Sequence, residues 1–301
     1  VIIDRVRLHL KSGKGGDGSS AFVRQGDKSI PAGGNGGRGA DIIISVNSNL
    51  YDLNKFRYTR KFSAPCGEPG KKGNKSGKQG ENLFLEVPLG TLLKDEQGRV
   101  LADLNSCPRE YRAVKGGQGG KGNFKRHYSE QGGQGEETDL ELDFRIPNDV
   151  AFIGRANAGR TSLFNALSGQ KHKVADYPYT TGSCSWAVCE YQFKRFIVLD
   201  TPPLKETAVI CPQDSFLKHL FRSRIIIIVC DDFPTCVVQA SEIREKLISF
   251  DPGYSQKKFF YLLNKIDRIE ARPGRKDWIN VSVQDGSGLD RLKDEILKGL
   301  S

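Results

Sequence analysis

The run Gly154-Arg155-Ala156-Asn157-Ala158-Gly159-Arg160-Thr161 follows an apolar strand-like segment and opens a helix-like one. In that setting successive backbone N–H groups and a helix N-terminus converge on one point, which suits a phosphate group. The Thr161 hydroxyl, with Ser162 beside it, can reach a magnesium ion carried by the phosphates. Position 160 departs from that chemistry. Lysine would deliver a compact point charge to the β- and γ-phosphates, whereas the guanidinium of Arg160 is planar, bulkier and fork-shaped. A second strand-like run ends in Asp200-Thr201-Pro202-Pro203. An aspartate there can attend a magnesium ion, and a backbone N–H three residues on can meet a terminal phosphate, but Pro203 has no N–H to give. Alone, this tetrapeptide reads better as a plain strand-end turn.

A third apolar run ends in Asn264-Lys265-Ile266-Asp267. A carboxylate at that place accepts from the N1 and N2 donors of guanine, which adenine lacks. Such a tetrapeptide arises often by chance, yet its position downstream of a phosphate loop and an Asp-x-Pro makes the trio far more specific. Ser282-Val283, after the strand-like 278–281, can add backbone contacts to the base.

These residues need strand ends to stand on. From Asp149 the sequence reads as βα units: strands over 149–153, 195–199, 225–230 and 257–263, and helices from Thr161, over 238–250 and over 289–300. Alternating elements predict an α/β fold with a doubly wound, mostly parallel sheet and a site at its strand C-terminal ends.

The first half differs. Of 34 glycines, 25 precede residue 150, in runs over 13–18, 33–39, 67–80, 116–122 and 132–135. Between them lie β-forming segments, 6–10, 41–46, 83–93, 100–104 and 140–146. One such run would read as a flexible linker. Gly67, Gly70, Gly73, Gly77 and Gly80, however, return near the three-residue period at which polyproline-II chains must shed side chains to pack. The chain therefore divides into an all-β, glycine-rich domain over 1–148 and the α/β domain over 149–301. Lys71, Lys72, Lys75 and Lys78, with Arg57, Arg60 and Lys61 upstream, suit phosphate contacts or form a solvated basic face.

With 46 Lys+Arg against 36 Asp+Glu, the net charge of +10 favours polyanionic partners. The longest apolar run, Ile225 to Cys230, is far short of the roughly 20 residues that cross a bilayer. Seven scattered cysteines without a CxxC pair give neither a disulfide framework nor a zinc site.

The chain resembles the Obg family of ribosome-associated GTPases over nearly all its length. The resemblance rests on 11–18 (KSGKGGDG), 33–39 (GGNGGRG), 87–91 (VPLGT) and 115–123 (KGGQGGKGN), besides the nucleotide motifs. Ala175 to Thr181 is similar to the family's switch I, and Phe216 to Leu220 to the helix after switch II. The resemblance implies an Obg fold of polyproline-II arms on a small β-barrel, reaching ribosomal RNA, followed by a P-loop G domain binding GTP or GDP with Mg2+. It implies that Gly154, Asn157, Ala158, Gly159, Arg160, Thr161 and Ser162 hold phosphates, and that Asn264, Lys265, Asp267, Ser282 and Val283 hold the base. Thr161, Thr181 and Asp200 attend the metal, and the catalytic candidates are Arg160, Thr181 and Asp200. Relatives that use K+ coordinate it with an asparagine at the position of Asn157. The implied function is assembly of the large ribosomal subunit, with the subunit precursor and its rRNA as partners, DNA not among them, and the protein a monomer. Arg160, Pro203 and a switch II segment without glycines predict weakened GTP hydrolysis. The alternative is a non-hydrolysing G domain serving as an rRNA-binding scaffold. The relaxed motifs and a first residue other than Met point to a mitochondrial matrix, with the bacterial cytoplasm as the alternative.

Overall fold

A computed structural model of the chain describes residues 3–105, 110–124, 126–169, 173–179, 182–204, 216–233, 235–268 and 277–301, with 173–179 and 182–183 in backbone only. The chain divides into two compact units, one over 3–144 and one over 145–301.

In the first unit the strands are β1 (Arg5–Lys11), β2 (Phe22–Gln25), β3 (Lys28–Pro31), β4 (Ile42–Val46), β5 (Lys61–Ser63), β6 (Leu83–Val87), β7 (Thr91–Lys94), β8 (Val100–Asp103), β9 (Glu110–Val114) and β10 (Glu137–Phe144). They form a sheet in the order β5-β1-β10-β7-β8, a second in the order β6-β4-β9, and a β2-β3 hairpin. In β1 every second residue, Val6, Leu8 and Leu10, is buried, as the alternation of side chains along a strand requires. Leu8 lies opposite Leu140 and Val6 opposite Leu142 of β10. Strand β9 packs on β1 and β10, so the two sheets enclose one core that includes Ile42, Ile44, Leu85, Val87 and Leu93. The single run read over 83–93 is two strands, because Gly90 turns the chain at φ +92°, a value that favours glycine.

The residues between these strands run as extended arms bonded side to side. Gly13 donates its N–H to Ala40, Gly39 to Gly117, and Gly117 back to Gly13, at 3.0, 2.8 and 2.9 Å. Three residues along, the pattern repeats: Gly16 donates to Gly37, Gly36 to Gly120 and Gly120 to Gly16, at 2.8, 2.8 and 2.9 Å. The three-residue glycine period thus has a direct cause. Each layer needs a bare backbone facing its neighbours, as in collagen-like packing. A Cβ on Gly36 would lie 1.9 Å from the Gly16 carbonyl oxygen. Side chains finish the bonding: Asp41 accepts from Gly116 N–H, Asn123 from Gly33 and Asp17 from Gly132, at 2.7, 2.7 and 2.8 Å.

The second unit is built on β11 (Val150–Gly154), α1 (Arg160–Ser168), β12 (Lys173–Tyr179), β13 (Gly182–Tyr191), β14 (Lys194–Asp200), α2 (Leu217–Leu220), β15 (Ile225–Cys230), α3 (Cys236–Phe250), β16 (Lys258–Leu263), β17 (Trp278–Asn280) and α4 (Leu289–Leu300). The sheet runs β12-β13-β14-β11-β15-β16-β17. From β14 to β17 neighbouring strands are parallel, and β12 and β13 add an antiparallel edge. All six residues of β15 are buried, which fits a central parallel strand covered on both faces. Phe152, Leu163, Phe164, Ile227, Leu292 and Ile296 belong to its core. Among the described residues no helix is long and apolar enough to cross a membrane.

Candidate functional site

Strand β11 lies between β14 and β15, so the turn after Gly154 opens over the middle of the sheet's C-terminal edge. Asn157 and Gly159 take left-handed backbone, φ +63° and +82°, before α1 begins. No side chain caps α1, which leaves its first N–H groups for an anion. Glycine at 159 has a second cause, since a Cβ there would stand 2.1 Å from Asn264 Nδ2.

That closeness joins the phosphate loop to the end of β16. Asn264 Nδ2 donates to the Ala158 carbonyl at 3.0 Å. Lys265 Nζ donates to the Asn157 carbonyl at 2.6 Å and to Asp231 Oδ2 at 2.7 Å. Asp267 Oδ1 accepts from the Ser282 hydroxyl at 2.7 Å, which aims the carboxylate that guanine would meet. Gly159, Ser162, Asn264, Lys265, Asp267 and Val283, all expected from sequence, line one cavity of about 260 Å³. Arg268 and Gln284 line it too; neither carried a signal in the sequence. Asn264 Oδ1 is buried without a hydrogen-bond partner among the described residues. A buried orphan of this kind costs about 1–3 kcal/mol.

The phosphate end is less ordinary. Arg160 is 7% exposed. Its Nη1 donates to the Thr201 carbonyl and lies 3.6 Å from Asp200 Oδ1. Its Cδ packs within 3.2 Å of the place a Cβ on Gly154 would take, so the chain crosses the loop's first residue towards the end of β14. Burial lowers the Arg160 pKa, against the opposing effects of Asp200 and Cys184, yet a guanidinium keeps its proton in proteins. Its Nε is buried and unpaired among the described residues. Thr161 Oγ1 donates to Asp200 Oδ2 at 2.7 Å.

A magnesium ion held between Thr161 and Asp200 does not fit this arrangement. The carboxylate is already balanced by the fixed guanidinium 3.6 Å away, whose repulsion a divalent cation would meet at close range. At the end of β14 the backbone donor expected at position 203 is missing as well. Pro203 offers no N–H, and the next one, from Leu204, donates to the Gly154 carbonyl at 3.0 Å. Thr180, Thr181 and the segment 205–215, which hold the expected switch I threonine and nearly all of the expected switch II, lie outside the described residues. The helix expected over 216–220 is a single turn, α2.

On the first unit the expected cations sit at the surface: Lys71, Lys72, Lys75, Lys78, Arg57, Arg60 and Lys61 are exposed. Lys71 pairs with Glu68 at 3.1 Å.

Two family models match the chain: one described as GTP1/OBG over residues 3–146 and one described as 50S ribosome-binding GTPase over 149–265. The chain is similar to the GTPase Obg of Aquifex aeolicus, 36% identical across 98% of this chain and 95% of that protein. It is also 37% identical to the GTPase Obg of a Sulfurihydrogenibium species, across 90% of this chain and 84% of the relative. A third relative, the GTPase Obg of Persephonella marina, is 37% identical across 90% of this chain and 85% of its own length.

Proposed function

The chain belongs to the GTP1/OBG family of GTPases, and from that premise we propose that it is a guanine-nucleotide-binding assembly factor of the large ribosomal subunit that hydrolyses GTP weakly. One observation carries the nucleotide part: the guanine-reading end of β16 and the phosphate loop are hydrogen-bonded to each other around a common cavity. In this reading residues 149–301 form the nucleotide domain. Gly154, Asn157, Ala158, Gly159, Arg160, Thr161 and Ser162 meet the phosphates. Asn264, Lys265, Asp267, Ser282 and Val283 meet the base. Thr181 and Asp200 complete the nucleotide site. Residues 1–148 form the domain that meets ribosomal RNA, through arms whose exposed lysines neutralise backbone phosphates. The protein acts as a monomer.

Weak hydrolysis is supported by Pro203 and by the engaged Leu204 N–H, since phosphoryl transfer depends on donors held where charge develops. The same two residues favour a second reading, in which the domain binds nucleotide without turnover and serves as an RNA-binding scaffold. The relatives are bacterial and give no support to the mitochondrial expectation; we place the protein in a bacterial cytoplasm. Potassium is not part of the proposal, because neither the family models nor the relatives point to it.

The test is co-sedimentation of the full chain with large-subunit precursors in a salt series, with and without GDP or GTP, alongside phosphate release. Binding to the precursor that falls steeply with salt, with slow phosphate release, is expected. Absence of the protein from precursor fractions at low salt would remove the assembly role. Release at the rate of an ordinary GTPase would remove the weakened chemistry.

A further inference from the structure

We propose that the guanidinium of Arg160 takes over the place of the divalent cation, so that this chain binds guanine nucleotide without magnesium. The inference rests on the guanine-nucleotide reading above and adds to it what holds the phosphates.

Three observations meet at one side chain. Arg160 is more than nine-tenths buried, its Nη1 is fixed by the Thr201 carbonyl, and Asp200 Oδ1 stands 3.6 Å away. The positive charge is therefore held beside the carboxylate that would otherwise attend a metal, and it cannot swing out to solvent as a lysine ammonium can. A further observation concerns what this charge lacks. Its Nε is a buried donor with no partner among the described residues. Nε is bonded to Cδ, the atom that packs at Gly154, so the unpaired donor lies beside the first residue of the phosphate loop. A charged N–H donor there calls for an anionic oxygen, and a nucleotide phosphate supplies one in a charge-assisted hydrogen bond. The uncapped start of α1 adds further N–H groups on the same side. Asp200 keeps its role as an anchor, now for the guanidinium rather than for a metal-bound water.

The experiment titrates the full chain with fluorescent GDP in magnesium and in excess EDTA, for the parent and for Arg160→Lys. The parent is expected to keep its affinity within about twofold in EDTA, and Arg160→Lys to lose about tenfold or more when magnesium is removed, a change of about 1.4 kcal/mol. A parent that loses tenfold in EDTA overturns the inference and leaves the guanine reading standing. A parent that binds no GDP in either buffer overturns the guanine reading, and the inference falls with it. If Arg160→Lys does not fold, as judged by its thermal transition, the parent comparison decides alone, together with a second readout: electron paramagnetic resonance of the isolated protein–GDP complex given manganese. Manganese left free in solution is the expected result, and stoichiometric manganese bound by the complex overturns the inference.

Discussion

Replacing Gly36 by alanine tests whether the glycine arms are a packed body. The added methyl would stand 1.9 Å from the Gly16 carbonyl oxygen and 2.4 Å from its carbon, about 1.5 Å short of ordinary contact. Both atoms are backbone, so one arm must move as a whole. That movement opens the layer formed by Gly36 to Gly120, Gly120 to Gly16 and Gly16 to Gly37. At about 1 kcal/mol for each hydrogen bond, the layer is worth about 3 kcal/mol. For a domain of this size the melting temperature of the unit over 3–144 then falls by roughly 10 °C. Gly133→Ala is the matched control: its nearest atom lies at 3.2 Å and the site is exposed, so it costs less than about 0.5 kcal/mol. Calorimetry reads the loss. Trp186 and Trp278 both lie in the unit over 145–301, so tryptophan fluorescence reports the other transition, which is expected to stay in place. Equal melting of Gly36→Ala and Gly133→Ala would refute the packing argument.

Two further outcomes are expected. His9 bonds Asp139 at 2.7 Å and Glu137 at 2.9 Å, and those carboxylates, Asp139 first, raise its pKa above 6.5. Its contribution to stability is therefore present in full below pH 6.5 and is lost as pH rises through the raised value. His9→Gln should lower the melting temperature at pH 6 and leave it unchanged at pH 8.5, with the difference shrinking in high salt because the group is exposed; an equal loss at both values would count against the ion pair. Pro203→Gly restores a backbone donor near the terminal phosphate, and phosphate release should rise on the order of tenfold, whereas no change would show that position 203 does not limit the reaction.

Much of this was legible because it is local. The turn after β11, the strand end carrying Asp267 and the central strand β15 are set by short runs of sequence, and the glycine period has a purely steric cause. What stayed hidden depends on partners distant in sequence. The hairpin β2-β3 is mostly exposed and β9 buries only Val114, so hydrophobic alternation did not mark them. Strand β12 overlaps the segment 175–181 that resembles a switch, while β13 beside it carries no reading from sequence; its place in the sheet follows from pairing with β14. Arg160 was visible as an anomaly, but its direction was not. Whether a guanidinium points into a phosphate loop or across it is decided by the Thr201 carbonyl and Asp200, some forty residues away. The engagement of the Leu204 N–H with Gly154 is hidden for the same reason.

Competition against fluorescent GDP tests the guanine-reading role of Asp267 most directly, using GDP, ADP and xanthosine diphosphate on the parent and on Asp267→Asn. GDP is expected to displace the probe from the parent while ADP does not, and Asp267→Asn to lose GDP by at least about 100-fold, as when paired donors are left unmatched, and to gain xanthosine diphosphate, whose C2 carbonyl accepts from the new amide. Displacement of the probe by ADP as readily as by GDP, or unchanged GDP binding in Asp267→Asn, would contradict that role.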